Sequence, residues 1–240
     1  MRTPRIRNYK EEAARNIHHT FEATKEGCVS GKRGRVIEWS LTFEEFETLV
    51  KAPCSYCRQN NETELRGIDR IDNHRGYVGG NVASACGICN RMKHIFHPEF
   101  FIEHCKMIEL GFTKAHRSKW PEYYKHIAHG FEYYKRMATD RRSLSWNLTK
   151  EAYDEMIASP CYICKYSEGP VGIDRVDPTI GYERSNCQPC CSPCNMMKHT
   201  LSLHTFREFT AKISLADASP FSSIPRKAYM LGRSAIELVE

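Results

Sequence analysis

The stretch RGIDRIDNHRGYVGGNVASACGICNRMKH, residues 66–94, returns later in the chain as VGIDRVDPTIGYERSNCQPCCSPCNMMKH, residues 171–199. Both stretches contain an Asp-Arg pair, a Gly-Tyr pair, an Asn, a Cys-x-x-Cys-Asn segment and a final Lys-His at identical spacing. The similarity extends upstream, where EWSLTFEEFETLVKAPCSYC (38–57) resembles SWNLTKEAYDEMIASPCYIC (145–164). An internal repeat of this length predicts two copies of one structural unit.

The repeat also predicts the domain organisation. A polar, basic stretch at 114–121 ends in Pro121 and separates the two copies. We therefore predict a first module over residues 1–116, a second over 117–217, and a C-terminal extension over 218–240. Each module is predicted to run helix, loop, helix, cysteine knuckle, strand hairpin, helix, helix.

The composition describes a mildly basic chain. Among 240 residues, 35 are Lys or Arg and 29 are Asp or Glu, which gives a formal net charge of +6. This charge is compatible with nucleic acid as a partner. The sequence contains no apolar run long enough to span a bilayer, and its basic N-terminal residues are not followed by the apolar core of an export signal. We therefore expect a cytoplasmic or nuclear protein with no membrane partner.

The cysteines predict metal sites. The chain has 12 cysteines, and eight of them form two sets of paired Cys-x-x-Cys knuckles. In a chain of this length without an export signal, such pairs indicate tetrahedral, all-thiolate zinc sites rather than disulfides. We predict two structural zinc ions. Their ligands are Cys54, Cys57, Cys86 and Cys89 in the first copy and Cys161, Cys164, Cys191 and Cys194 in the second.

A further Cys-x-x-Cys, Cys187 to Cys190, competes for the second site. The repeat decides between the alternatives, because Asp69 precedes Cys86 by 17 residues and the same interval separates Asp174 from its cysteine at 191. Cys187 and Cys190 have no counterparts in the first copy. They are predicted to be free thiols or alternate ligands.

Local patterns predict the elements around the knuckles. Thr42 followed by Glu45 forms a capping box, which predicts a helix start. Alternation of Ile with Asp and Arg near Asp69 predicts a strand that displays this Asp at a surface. A helix is predicted from the second knuckle, and another with Pro98 in its first turn.

Polar side chains next to these elements predict a second kind of metal site. Asn90 and His94 are four residues apart and so share one helix face, and Asp69 ends the preceding strand. A carboxylate, an amide oxygen and an imidazole that converge would bind a divalent cation with open positions for water and a phosphate oxygen. The alternative is that Asp69 caps a turn and Asn90 caps the helix, but capping does not require the same set of residues in both copies. The second copy has Asp174, Asn195 and His199.

This order of motifs resembles the HNH (ββα-metal) endonucleases, most closely their zinc-stapled branch. The resemblance covers the core of both copies. It implies an α+β fold of two tandem zinc-bound modules that form a pseudo-dimer within one chain. It also implies hydrolysis of phosphodiester bonds in double-stranded DNA with Mg²⁺ or Mn²⁺, of restriction or homing type, with one site in each repeat.

The resemblance assigns the same five roles in each copy. Along the chain these are a metal-binding Asp on the strand, the residue at the first position of the HNH motif, a loop-bracing Asn, a metal ligand on the helix and a second ligand one turn later. The residues are Asp69, Arg70, Asn81, Asn90 and His94 in the first copy and Asp174, Arg175, Asn186, Asn195 and His199 in the second.

The chain differs from the family at the first position of the HNH motif, where arginine replaces the histidine that usually acts as the general base. A guanidinium with a pKa above ~12 cannot take a proton from water, but it suits a bidentate grip on phosphate. Water activation then depends on the catalytic metal or on another side chain. The alternatives are His94 or His199, Tyr77 or Tyr182, and His19 or His129; His74 is weaker because the second copy has Thr179 there.

Two more expectations follow from the repeat. Lys93 and Lys198 are expected to contact phosphate. The alternatives to a duplex-cutting nuclease are a zinc DNA-binding protein with a silent site and a structure-specific nuclease on branched DNA. Both copies contain the Asp, both Asn and the Lys, which a silent scaffold would not need.

Overall fold

The computed structural model describes residues 9–31, 35–60, 65–124 and 130–225. Within these ranges the chain is mixed α/β, with helices and two small sheets. None of the helices in the described ranges is long and apolar enough to cross a membrane. The basic N-terminal residues 1–8, His129 and residues 226–240 of the predicted extension lie outside the described residues.

The elements repeat in the predicted order. The first copy contains α1 (Tyr9–Val29), α2 (Phe43–Lys51), β1 (Gly67–Arg70), β2 (Val82–Ala85), α3 (Gly87–Lys93) and α4 (Pro98–Leu110). A connection follows with α5 (Lys114–Lys119) and a 3-10 turn at Pro121–Tyr124. The second copy contains α6 (Phe131–Arg142), α7 (Lys150–Ala158), β3 (Gly172–Arg175), β4 (Cys187–Cys190), α8 (Ser192–Lys198) and α9 (Leu203–Ser214), with a last 3-10 turn at Ser219–Phe221.

The predicted helix starts are confirmed. Thr42 Oγ1 accepts a hydrogen bond from the Glu45 N–H at 3.2 Å, and Glu45 Oε2 accepts one from the Thr42 N–H at 2.8 Å. This reciprocal pair satisfies two of the amides that a helix start leaves without partners. In the second copy Thr149 caps α7 with a single bond, from the Ala152 N–H to Thr149 Oγ1, because alanine has no side-chain acceptor to complete a capping box. Pro98 occupies the first turn of α4, where its missing N–H costs nothing.

Each sheet is a short antiparallel hairpin that presents the repeated Asp-Arg pair. Gly67 lies opposite Ala85 and Arg70 opposite Val82 in the first hairpin. In the second hairpin Gly172 lies opposite Cys190. The long loop inside each hairpin returns past an upstream tryptophan. An isolated bridge joins Trp39 to Tyr77 in the first copy and Trp146 to Tyr182 in the second.

The repeated glycine before each of these tyrosines has a steric cause. A Cβ at Gly76 would lie 2.2 Å from the Glu38 carbonyl oxygen. A Cβ at Gly181 would lie 2.5 Å from the Ser145 carbonyl oxygen. Real Cβ atoms do not approach backbone this closely, so only glycine allows the loop to pass here. The same close approach in both copies explains the repeated Gly-Tyr pair.

The chain divides into two compact units, Met1–Asn90 and Arg91–Glu240. The first unit has a core around Phe21, Phe46 and Val50, and the second has one around Tyr153 and Met156. The boundary between the two compact units, after Asn90, precedes the boundary between the repeats that was predicted near residue 116. The reason is that α4, which belongs to the first repeat by sequence, packs along α9 inside the second unit.

Candidate metal centres and candidate active site

The first cysteine cluster contains the four predicted ligands. The Sγ atoms of Cys54, Cys57, Cys86 and Cys89 all lie within 4.8 Å of one another. Cys57 and Cys86 Sγ are 3.9 Å apart, and the Cys89 N–H donates to Cys86 Sγ. Four converging thiols of this kind could hold one tetrahedral zinc ion.

The second cluster includes a side chain that the repeat did not reveal. His104 of α4 joins Cys164, Cys191 and Cys194, with ligand atoms within 4.8 Å of one another. Its Nε2 lies 3.2 Å from Cys194 Sγ, and burial lowers the pKa of His104 to about 3, so the ring is neutral. Two buried clusters could therefore bind metal ions. The sequence gives little indication of His104, because α4 is far along the chain from the cysteines of the second copy.

The remaining cysteines of the second copy surround this group. Cys161, a predicted ligand, interacts with the thiols of Cys164, Cys190, Cys191 and Cys194. Cys187 lies in β4, where burial raises the pKa of its thiol to about 11. Cys187, predicted to be a free thiol or an alternate ligand, is not among the four ligand atoms of this group.

The strand aspartates are buried, which corrects the prediction that Asp69 lies at a surface. Asp69 is 2% exposed and Asp174 is 4% exposed. The Tyr56 hydroxyl donates to Asp69 Oδ2 at 2.5 Å, and the Tyr162 hydroxyl donates to Asp174 Oδ2 at 2.7 Å. These tyrosines occupy different positions within their Cys-x-x-Cys knuckles. The contact is therefore repeated in three dimensions although it is not repeated in the alignment.

The lysine position repeated in both copies is also buried, which corrects the expectation of a phosphate contact. Lys93 and Lys198 are both 0% exposed. Lys198 Nζ lies 3.0 Å from Asp174 Oδ2 and donates to the Arg175 carbonyl oxygen at 3.1 Å. Burial raises the pKa of Asp174, while Tyr162 and the Lys198 ammonium oppose that shift. Lys198 therefore neutralises a buried carboxylate rather than reaching a surface.

The buried pair predicts a strong stability effect. Lys198→Met should lower the free energy of unfolding by about 3–5 kcal/mol, because it leaves Asp174 without its cation. Lys198→Met combined with Asp174→Asn should recover most of that loss, measured by denaturant unfolding. The loss in the single variant should shrink as the pH falls below the raised pKa of Asp174, because the protonated carboxyl buries no charge. Equal stability of the single and double variants would contradict the pairing.

Arg70 and Arg175 brace the hairpin loops. Arg175 Nη1 donates to the carbonyl oxygens of Pro178 at 2.7 Å and Ile180 at 2.8 Å. Arg70 makes the corresponding pair of bonds in its own loop, at 3.1 Å each. Each guanidinium also lies over the ring of the repeated tyrosine, at 5.3 Å from Tyr77 and 5.2 Å from Tyr182. The arginines are thus held rigidly at the base of the loop.

The middle asparagines complete the bracing. Asn81 Oδ1 accepts from the Asp72 N–H, and its Nδ2 donates to the carbonyl oxygens of Asp72 and Gly76. Asn186 makes equivalent bonds with Asp177 and Gly181. One amide side chain thus ties together both ends of the turn in each copy, which is the bracing geometry expected of this position.

The helix positions after the second knuckle have two different environments. Asn90 Nδ2 donates to the Ile68 carbonyl oxygen at 3.3 Å, and Asn195 Nδ2 donates to that of Ile173 at 3.2 Å. His94 and His199 are exposed, and both have positive φ, +50° and +48°. Non-glycine residues adopt this region at a cost and are enriched at functional sites. Burial, the charge of His199 and that of Lys93 lower the pKa of His94.

The other proton-acceptor candidates are less favourable. His19 lies exposed on α1, away from the strand and the knuckles in sequence. His74 is exposed in the first hairpin loop, where its N–H donates to Asp72 Oδ1. Burial raises the pKa of Tyr77, which holds its phenolic proton more firmly. Tyr182 is buried, and its hydroxyl accepts a hydrogen bond from Arg142. By contrast, His94 and His199 are exposed at the helix ends.

A cavity of about 440 Å³ collects the predicted residues of the second copy. Asp174, Arg175, Asn195 and His199 all line it. Asn186 lies outside its lining because it braces the loop behind. The walls also include residues that the sequence did not single out, which are Tyr133, Tyr134, Met137, Arg142, Ile173, Pro178 and Thr200.

Arg142 is the functional candidate that sequence reasoning missed. It ends α6, and its Nη1 donates to the Tyr182 hydroxyl at 3.1 Å. A signal was present, because Arg142 and Arg35 each lie four residues before the repeated tryptophan. The lining of the cavity therefore includes two arginines, three tyrosines and one exposed histidine.

Comparison with known proteins gives one distant relative of undescribed role. No protein-family profile and no solved structure matches the chain. An uncharacterized protein of Acanthamoeba polyphaga mimivirus is 33% identical over 175 residues, which cover 70% of this chain and 32% of that protein. The chain thus spans about a third of the length of this viral relative.

Proposed function

We propose that this chain is an endonuclease of the HNH (ββα-metal) type that hydrolyses phosphodiester bonds of double-stranded DNA. One observation carries the proposal. Four positions that the family resemblance marks as catalytic, Asp174, Arg175, Asn195 and His199, line a single cavity in the second copy. They come from β3 and α8, two elements that the repeat preserves in both copies. A cavity of this size accommodates a phosphodiester and its neighbouring sugar.

The charges of the cavity suit a phosphate. Arg142 and Arg175 line it, and guanidinium groups bind phosphate oxygens through paired N–H donors. Arg175 is already fixed by two carbonyl oxygens and the ring of Tyr182, so it loses little freedom when it binds. Both cations would also stabilise the negative charge that develops on the phosphate during hydrolysis.

His199 is the side chain suited to accept the proton of the attacking water. Arginine stays protonated at neutral pH, whereas imidazole titrates near it. His199 is exposed at the end of α8 and lines the same cavity as Arg175. Its strained backbone, φ +48° and ψ −119°, recurs as a positive φ at His94 in the first copy. A general base of this kind commonly contributes about 10²–10⁴-fold to the rate.

The residues do not form a ready site for a catalytic Mg²⁺ or Mn²⁺. The Asp174 carboxylate already holds the Lys198 ammonium at 3.0 Å and the Tyr162 hydroxyl at 2.7 Å. Among the described residues no group of three His, Cys, Asp or Glu ligands includes Asp174. A divalent cation, when bound, would neutralise the phosphate and acidify water. Asp174 could take part only after releasing Lys198, so the roles above rest on the chain's own side chains.

The doubling supports a pseudo-dimer. A site of this type cuts one strand, and duplex cleavage needs two sites. Inside the second compact unit the last helix of the first repeat, α4, packs along the last helix of the second, α9, and Thr210 Oγ1 donates to Glu109 at 2.8 Å. Helix pairing of this kind joins the equivalent ends of the two repeats, which is where a symmetric dimer would have its interface.

Cleavage assays with purified full-length protein test the proposal. We expect supercoiled plasmid to be cut when Mg²⁺ or Mn²⁺ is added, in buffer without chelator so that the cysteine clusters stay loaded. Equal cutting without added cation would show that Arg142 and Arg175 supply the charge. DNA binding without cutting under any condition would favour the silent zinc-protein alternative. Cutting confined to junctions or flaps would favour the structure-specific alternative.

A further inference from the structure

The second cysteine cluster receives a side chain from outside its own repeat. His104 lies on α4 and is 0% exposed. Its imidazole and the thiols of Cys164, Cys191 and Cys194 place four ligand atoms within 4.8 Å of one another. Three thiolates and one imidazole form a common tetrahedral zinc set. We propose that His104 is a direct ligand of the second zinc ion, which thereby bonds the terminal helix of the first repeat to the second repeat.

The hydrogen-bond partners of the ring suit the tautomer that metal binding requires. Tyr124 Oη lies 3.0 Å from His104 Nδ1 and also reaches Met107 Sδ at 3.7 Å. If Nδ1–H donates to the phenolic oxygen, the phenol can donate in turn to the sulfur. Nε2, which faces Cys194 Sγ at 3.2 Å, then carries the lone pair that a metal needs. Zinc-binding histidines are typically fixed through the other ring nitrogen in this way.

Packing further fixes the ring. Phe100, one turn earlier on α4, stacks against His104 with ring centroids 5.1 Å apart. α4 itself is held along α9. The imidazole is therefore preorganised at the thiols before any ion binds, and ligation costs little conformational entropy.

The ligand has no counterpart in the second repeat. The alignment that pairs Phe101 with Phe206 and Ile108 with Ile213 pairs His104 with Phe209. Because the first cluster consists of four cysteines, the fold does not require a histidine here. A site with three thiolates and an imidazole carries one negative charge around Zn²⁺, whereas four thiolates carry two. The smaller charge is cheaper to bury in this interior.

The proposal makes Cys161 a neighbour rather than an obligatory ligand. Cys161 interacts with four surrounding thiols, but the mutually close group contains His104 instead. Cys161 and Cys164 belong to the same knuckle, so they form a matched pair of variants with opposite expected outcomes.

Cadmium-113 NMR of the full chain tests the proposal directly. We expect two ¹¹³Cd resonances in the wild type. One of them should show coupling to an imidazole nitrogen, and this coupling should be absent in His104→Phe. Cys161→Ala should still bind two ions per chain, and Cys164→Ala should bind one. Two resonances coupled only to cysteine β-protons would overturn the proposal, as would loss of an ion in Cys161→Ala with retention of the wild-type spectrum in His104→Phe. The wild-type spectrum decides the question even if a variant does not fold, and neither result depends on nuclease activity.

Discussion

Removal of the metal ions is expected to abolish the cooperative unfolding transition of the protein. Structural zinc contributes about 10–16 kcal/mol in small zinc modules, and a domain has a total stability of only about 5–15 kcal/mol. In the structure the cysteines converge to 3.9 Å between Cys57 and Cys86 and 3.5 Å between Cys164 and Cys191. Without an ion these buried thiols have only weak mutual hydrogen bonds. Calorimetry before and after chelation, and again after zinc is restored, measures the effect.

Matched cysteine variants control for packing. Cys57→Ala should bind one zinc fewer than the wild type by elemental analysis. Cys28→Ala, which changes a buried cysteine outside the cluster, should bind the full number. Cys105→Ala serves the same purpose in the second unit, where Cys105 is buried in α4. A chelated protein that keeps its transition would show that the thiols pack without metal.

Substitution of either His94 or His199 is expected to convert double-strand cleavage into cleavage of a single strand. Under the proposed function, His94 and His199 each serve one repeat, so His199→Gln should lower cutting of one strand by about 10²–10⁴-fold. Glutamine keeps a polar side chain of similar size but cannot accept a proton at neutral pH. The expected plasmid products are linear DNA for the wild type, open circles for either single variant and uncut DNA for the double variant.

These histidines are better test positions than the aspartates. Both histidines are exposed, so their exchange should change the free energy of unfolding little. Asp174→Ala would leave the Lys198 ammonium buried without its counter-charge and would confuse loss of activity with loss of folding. His204→Gln, an exposed position on α9, is the control and should cut as the wild type. If one single variant abolishes all cutting while the other changes nothing, the protein has one active site.

The amino-acid sequence by itself determined the repeated order of elements, the helix caps and the first cysteine cluster. These features depend on short-range spacing. The Thr42 and Glu45 pair closes within one helical turn, and two residues between cysteines suffice to form a knuckle. The predicted cavity residues also derive from a fixed interval between β3 and α8. The knuckles and the strand and helix positions repeat in register, so one copy checks the other.

Tertiary structure alone decided which groups meet across long separations. His104 reaches Cys194 over 90 residues, and Arg142 reaches Tyr182 over 40. The tyrosine that binds the strand Asp changes its position within the knuckle between copies, so alignment does not find it. The burial of Lys198 against Asp174 has the same origin. Residue type specifies that such groups need partners, but only the packing of helices and hairpins brings a particular partner close enough to replace water.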